Sequence, residues 1–188
     1  MIGIPPFYLI RNKKELLMAL DFSKKSDALF LDLVNTKATR ALAKEELDIS
    51  GIRAGLAGGK NTTLTLKAAV GAPNLTGESL FHYDRLDLAT LFAGHAQSYE
   101  VVDGIDSALE IVALINTKYN LGLSDLDIED TAIDVAGEQA SITLTAKASS
   151  LVYTGTLNVA LTYPKDDLSA VMGNGIADGF EQPTLSEA

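Results

Sequence analysis

The chain carries one pattern twice. Asn35-Thr36-Lys37 recurs as Asn116-Thr117-Lys118, and Leu47-Asp48-Ile49 recurs as Leu126-Asp127-Ile128. Thr63-Leu64-Thr65 with Lys67 returns as Thr143-Leu144-Thr145 with Lys147. Thr76-Gly77 and Tyr83 are answered by Thr154-Gly155 and Tyr163, and Asp87-Leu88 by Asp167-Leu168. The order is kept throughout, so the pattern predicts a duplicated structural unit. Each copy spans about seventy residues, a size at which one core is marginal, so the copies are expected to pack on each other. Residues present in both copies are expected to hold the fold, because one active site would survive duplication in a single copy.

The periodicity within a copy predicts a helix, a short strand and a hairpin. In the first copy, Leu29, Phe30, Leu33 and Val34 form a helical apolar stripe after Ser26-Asp27, which is expected to cap it. In the second, Leu109, Ile111, Val112, Leu114 and Ile115 follow Asp106-Ser107. Both helices are expected to stop near their Asn-Thr-Lys. The period then falls to two. Ile142, Leu144 and Ala146 alternate with Thr143, Thr145 and Lys147, while Leu157, Val159, Leu161 and Tyr163 alternate with polar or small residues. Thr62, Leu64, Leu66 and Ala68, then Ser79, Phe81 and Tyr83, take the inward positions of the first copy. Short strands are expected around Ile52-Arg53-Ala54 and Ile133-Asp134-Val135.

The fold class expected is α+β: two tandem copies of a helix plus a short antiparallel sheet, packed as a pseudo-symmetric pair. Residues 1–23 read as an N-terminal arm with a short helix from Lys13 to Leu20. Residues 24–94 are the first unit, 95–104 a linker, 105–175 the second unit and 176–188 a C-terminal tail. The arm carries an apolar run, Phe7, Tyr8, Leu9 and Ile10, expected to pack on a neighbouring subunit.

Composition excludes several classes. With no cysteine, there are no disulfides and no thiolate metal sites. No apolar run approaches the roughly 20 residues of a membrane helix, and Met1-Ile2-Gly3-Ile4-Pro5-Pro6 does not read as a secretory signal. The net charge of −10 argues against nucleic acid as a direct partner. That charge is unevenly placed. Residues 1–94 hold 12 Lys and Arg against 10 Asp and Glu, a balance of +2, whereas residues 95–188 hold 3 against 15, a balance of −12.

Candidate chemistry reads as structural. His82 falls on the polar face of its strand and His95 in the linker. The acidic run Asp125, Asp127, Glu129 and Asp130 lacks the central glycine and terminal glutamate of a calcium loop, and reads as a solvated turn or helix. Gly55 to Lys60 lacks the frame of a phosphate loop and reads as a hairpin turn. Asp166-Asp167, matched by Arg85 and Asp87, reads as a turn or helix cap. No catalytic residue, cofactor site or metal site is expected.

The helix ending in Asn-Thr-Lys, the Thr-Leu-Thr strand with its lysine, and the run from Tyr83 to Phe92 resemble a small domain of virion structural proteins from large tailed bacteriophages. The second copy departs from it where Pro164-Lys165-Asp166 replaces Asp84-Arg85-Leu86. The resemblance implies a non-enzymatic particle component in tail, neck, baseplate or capsid, assembled in the host cytoplasm, whose partners are other virion proteins and copies of itself. The alternatives are a host-surface or glycan binding module using the threonine faces, or an enzyme. The charge split adds a homo-oligomer expectation. The acidic residues Asp125, Asp127, Glu129 and Asp130 either face a basic surface, such as Arg53, Lys60 and Lys67 of a neighbour, or lie solvated on the exterior.

Overall fold

A computed structural model describes residues 20–55, 57–102, 104–165 and 171–172. The Phe7–Ile10 patch, most of the Lys13–Leu20 helix, Asp166-Asp167 and the 176–188 tail lie outside the described residues. The fold is mixed α+β with few helices and small sheets. In order, the elements are α1 (Ser26–Asn35), β1 (Leu47–Ala54), β2 (Thr62–Ala68), β3 (Glu78–Tyr83), β4 (Leu86–Asp87), α2 (Leu88–Leu91), β5 (Ser98–Glu100), α3 (Ala108–Tyr119), β6 (Ser141–Thr145), β7 (Tyr153–Thr154) and β8 (Thr156–Thr162). Among the described residues three sheets form: β1-β2-β3, the pair β4-β7, and β5-β8-β6.

In the first half, α1 lays Leu29, Phe30 and Val34 on the inner face of its sheet. Phe30 meets Phe81 edge-on at 5.8 Å and Tyr83 at 5.2 Å, so the alternation of β3 delivers both rings to the helix. Burial of a side chain of this size contributes roughly 1.5–3 kcal/mol. β1 runs from Leu47, longer than the Ile52–Ala54 segment expected, and its pairing with β2 shifts between Ser50 and Arg53. Gly51, at φ +64°, supplies the left-handed residue that the bulge needs.

In the second half, Ile111, Val112 and Ile115 of α3 are buried against Ile142, Leu144, Leu157, Val159 and Leu161. The alternation read for the hairpin holds along all of β8 and from Ser141 to Leu144 of β6, whereas Thr145, Ala146 and Lys147 are all half-buried. No strand forms at Ile133–Val135. That stretch follows two isolated bridges, Ile128 with Ala146 and Ser107 with Ala132, which take its backbone across the start of α3 instead. α3 also runs through its Asn-Thr-Lys to Tyr119 and ends on Asn120 at φ +53°. Residues 95–104 are more than a linker, because β5 lies within them and pairs in parallel with β8.

The two halves share one core and are tied by backbone. β4 pairs in parallel with β7, Leu86 facing Tyr153 and Asp87 facing Thr154. The Leu86 amide donates to Val152 O at 2.8 Å and the Tyr83 hydroxyl to Leu151 O at 2.8 Å. The Arg85 guanidinium donates to Ala148 O and Ser150 O, both at 3.2 Å.

Several hydrogen bonds occur twice. The Asn35 amide donates to Leu42 O at 3.1 Å and accepts from Leu42 N at 2.8 Å; Asn116 clamps Leu123 in the same way at 2.7 and 3.1 Å. Glu46 accepts from Ala43 N at 3.0 Å, as Asp127 does from Ser124 N at 3.1 Å. Ala68 N donates to Gly77 O at 2.9 Å, and Ala146 N to Gly155 O at 3.0 Å. These bonds match Asp127 with Glu46, where the written motif matches it with Asp48. They likewise match Ala146 with Ala68, two positions from where the lysines Lys67 and Lys147 would set it. The difference arises between the helix and the hairpin, where β1 and its loop replace the bridged segment of the second half.

Candidate interaction surfaces

The acidic candidates separate by burial. Asp125, Glu129 and Asp130 are exposed. Asp127 is 0% exposed, so it is unavailable to any neighbour and the interface role expected for it is corrected. The turn after Leu123 folds Asp127 back on Ser124, whose amide and hydroxyl donate to Oδ2 at 3.1 and 3.2 Å. Oδ1 accepts from Ser150 Oγ at 2.7 Å and from Ser26 Oγ. Ser26 therefore does not cap α1; Lys25 occupies the cap position and the Ser26 hydroxyl reaches across to the second half. Four donors satisfy a carboxylate that burial would otherwise penalise heavily. No histidine bonds to it, and its bonds join three chain segments.

Beside this carboxylate, the Tyr153 hydroxyl is buried with no hydrogen-bond partner among the described residues. Burial first, and the Asp127 charge second, push its pKa up to about 12. The three serines and Tyr153 were not legible as one cluster, because their sequence separations carry no periodic signal.

The basic candidates Arg53, Lys60 and Lys67 are all exposed. Arg53 and Lys67 sit on the sheet's outer face, opposite Thr63 and Asp48 in the ladder. Lys60 pairs with Asp84 at 2.7 Å, so part of its charge is met within the chain. The threonine faces differ. Thr63 is buried, with Oγ1 2.7 Å from His82 Nδ1, whereas Thr143 is exposed and bonds Asn158 at 2.8 Å.

An aromatic cluster that periodicity does not reveal closes the end of α3. The buried Gln97 side chain donates to His95 O at 2.7 Å and the Tyr119 hydroxyl at 3.0 Å, and accepts from the Tyr99 hydroxyl at 2.9 Å. Lys118 Nζ lies 5.4 and 5.2 Å from the Tyr99 and Tyr119 ring centres. The Gln97 bond, then Lys118, holds the Tyr119 hydroxyl below its ordinary range, while burial raises that of Tyr99.

Among the described residues, no group of three or more His, Asp or Glu is placed to hold a metal ion, and no helix is long and apolar enough to cross a membrane. The arrangement defines an α+β protein whose buried polar side chains, the Tyr153 hydroxyl excepted, are hydrogen-bonded, Asp127 among them. The chain belongs to a family of unknown function, DUF7941, whose model matches residues 19–188. No curated protein matches it, and no solved structure does.

Proposed function

We propose that this protein is a non-enzymatic structural component of a tailed bacteriophage virion, assembled in the host cytoplasm and acting through interfaces with copies of itself and with other virion proteins. The observation that carries an interface role is the division of charge between two similarly bonded halves. Exposed Arg53, Lys60 and Lys67 mark one half, and exposed Asp125, Glu129 and Asp130 mark the other. Unlike patches on one subunit suit head-to-tail contacts. The resemblance of both halves to virion domains supplies the setting.

The same reading takes the chain to be a duplicated unit. The paired asparagine clamps, the paired carboxylate bonds at Glu46 and Asp127, and the paired Ala–Gly bonds at the hairpins support it. Mass spectrometry of purified particles of the encoding phage tests the proposal. The chain should be recovered in a fixed ratio to the major structural proteins; confinement to the soluble lysate, with particles free of it, overturns the reading.

A further inference from the structure

We propose that the groove beside Leu75 and Thr76 docks a second copy of this chain, receiving the segment that follows Tyr163 as β7 receives β4 within the chain. This rests on the duplicated-unit and interface reading above and names the contact it uses. Gly77 and Gly155 occupy matched turns, at φ +84° and +78°, with matched bonds from Ala68 and Ala146. At Gly155 the Asp87 carboxylate packs so closely that an added Cβ would lie 2.1 Å from its Oδ2. At Gly77 no described atom lies within 4 Å of such a Cβ. Tyr153-Thr154, just before Gly155, pair with Leu86-Asp87. Among the described residues no strand pairs with Leu75-Thr76, just before Gly77. They line instead a groove of about 190 Å³ with Leu42, Leu47, Leu66 and Lys67. Among the described residues, one of two matched docking sites is filled and the other is open.

The sequence supplies an occupant. Tyr83 followed by Asp87-Leu88 recurs as Tyr163 followed by Asp167-Leu168, two residues further from its glycine turn than in the first half. Leu88 is buried at 1% exposure once β4 has docked, so Leu168 carries the equivalent apolar side chain. Asp167 would meet Lys67 at the groove's rim, where Lys67 stands opposite Glu78 in the ladder.

The occupant belongs to another molecule because the two halves are not related by a two-fold axis. Under a two-fold, each contact between halves would be returned by its counterpart. Ser26 reaches Asp127, yet Ser107 Oγ faces Glu110 and Glu46 is held by Arg40. A relation that is not two-fold leaves one patch open at each end, and the next molecule fills it.

Sedimentation velocity on the full chain, with Leu75→Arg and Leu168→Asp variants, tests this. The wild type should form species larger than a dimer as concentration rises. Each variant should associate at least about tenfold more weakly, with its thermal midpoint unchanged. Mixing the variants should restore dimers only, because the intact groove of one meets the intact segment of the other. Wild-type assembly that both variants retain overturns the groove but leaves the interface reading standing. A monomeric wild type that Leu168→Asp destabilises places the segment in its own chain and overturns docking of a second copy. A wild type monomeric at every concentration, with both variants equally stable, also overturns it, while particle mass spectrometry judges the virion reading separately.

Discussion

At the residue scale, the polar cluster around Asp127 gives opposite expectations for neighbouring side chains. Asp127→Ala leaves the hydroxyls of Ser26, Ser124 and Ser150 and one amide without their acceptor, and should cost about 3 kcal/mol in chemical denaturation. Tyr153→Phe removes a buried hydroxyl that has no partner, so stability should hold or rise by up to about 1 kcal/mol. A large loss on Tyr153→Phe would mean that its hydroxyl is bonded after all. Glu46 sets a pH dependence. The Arg40 guanidinium, then the Ala43 amide, holds its pKa down to about 2 from an ordinary 4.5. A depressed carboxylate adds stability that is complete above the unfolded value and lost as pH falls toward the folded one. Thermal midpoints should therefore decline between about pH 4.5 and 2, and Arg40→Gln should flatten that decline. An identical acid profile in the variant would remove Arg40 as the cause.

At the scale of elements, the asparagine clamps are the sharpest test of equivalence between the halves. Asn35→Ala and Asn116→Ala each remove two bonds to one leucine backbone, so each should cost about 1–3 kcal/mol, and by similar amounts. Urea midpoints measure both, and a cost confined to one site would argue against a shared structural role. Much of this architecture was legible. The period-two runs at Ile142–Lys147 and Leu157–Tyr163 gave β6 and β8, and the apolar stripes gave α1 and α3. The Gly55–Lys60 stretch is the hairpin turn that its glycines suggested, with a single 3₁₀ turn at Ala57–Gly59. What escaped depends on partners distant in the chain. Ser26 reads as a cap until a carboxylate 101 residues away takes its hydroxyl. Ile133–Val135 reads as a strand, but its backbone is committed to Asp106 and the start of α3. The repeated lettering of Thr-Leu-Thr and Lys stands two positions out of step with the repeated Ala–Gly bonds, a slip that periodicity cannot register because the inward face survives an even shift.

At the scale of the molecule, the charge division governs how association should respond to salt. Contacts between the acidic half and the Lys67 side of the first half would be drawn together over roughly a Debye length, about 10 Å at 0.1 M salt. Raising ionic strength should therefore weaken self-association, chiefly by slowing encounter. Light scattering across a salt series reads this out, and association that strengthens with salt would point to apolar contact alone.

The parallel pairing of β5 with β8 has a consequence for the life of the folded chain. A segment that looks like a tether is a sheet member, held to the second half along Ser98–Glu100. Proteolysis within β5 must wait for the sheet to come apart, which places residues 98–100 among the slowest cut sites and makes the rate there a reporter of subglobal opening. Force applied to one half would pass to the other through the backbone bonds of β4 with β7 and not through a slack connector alone.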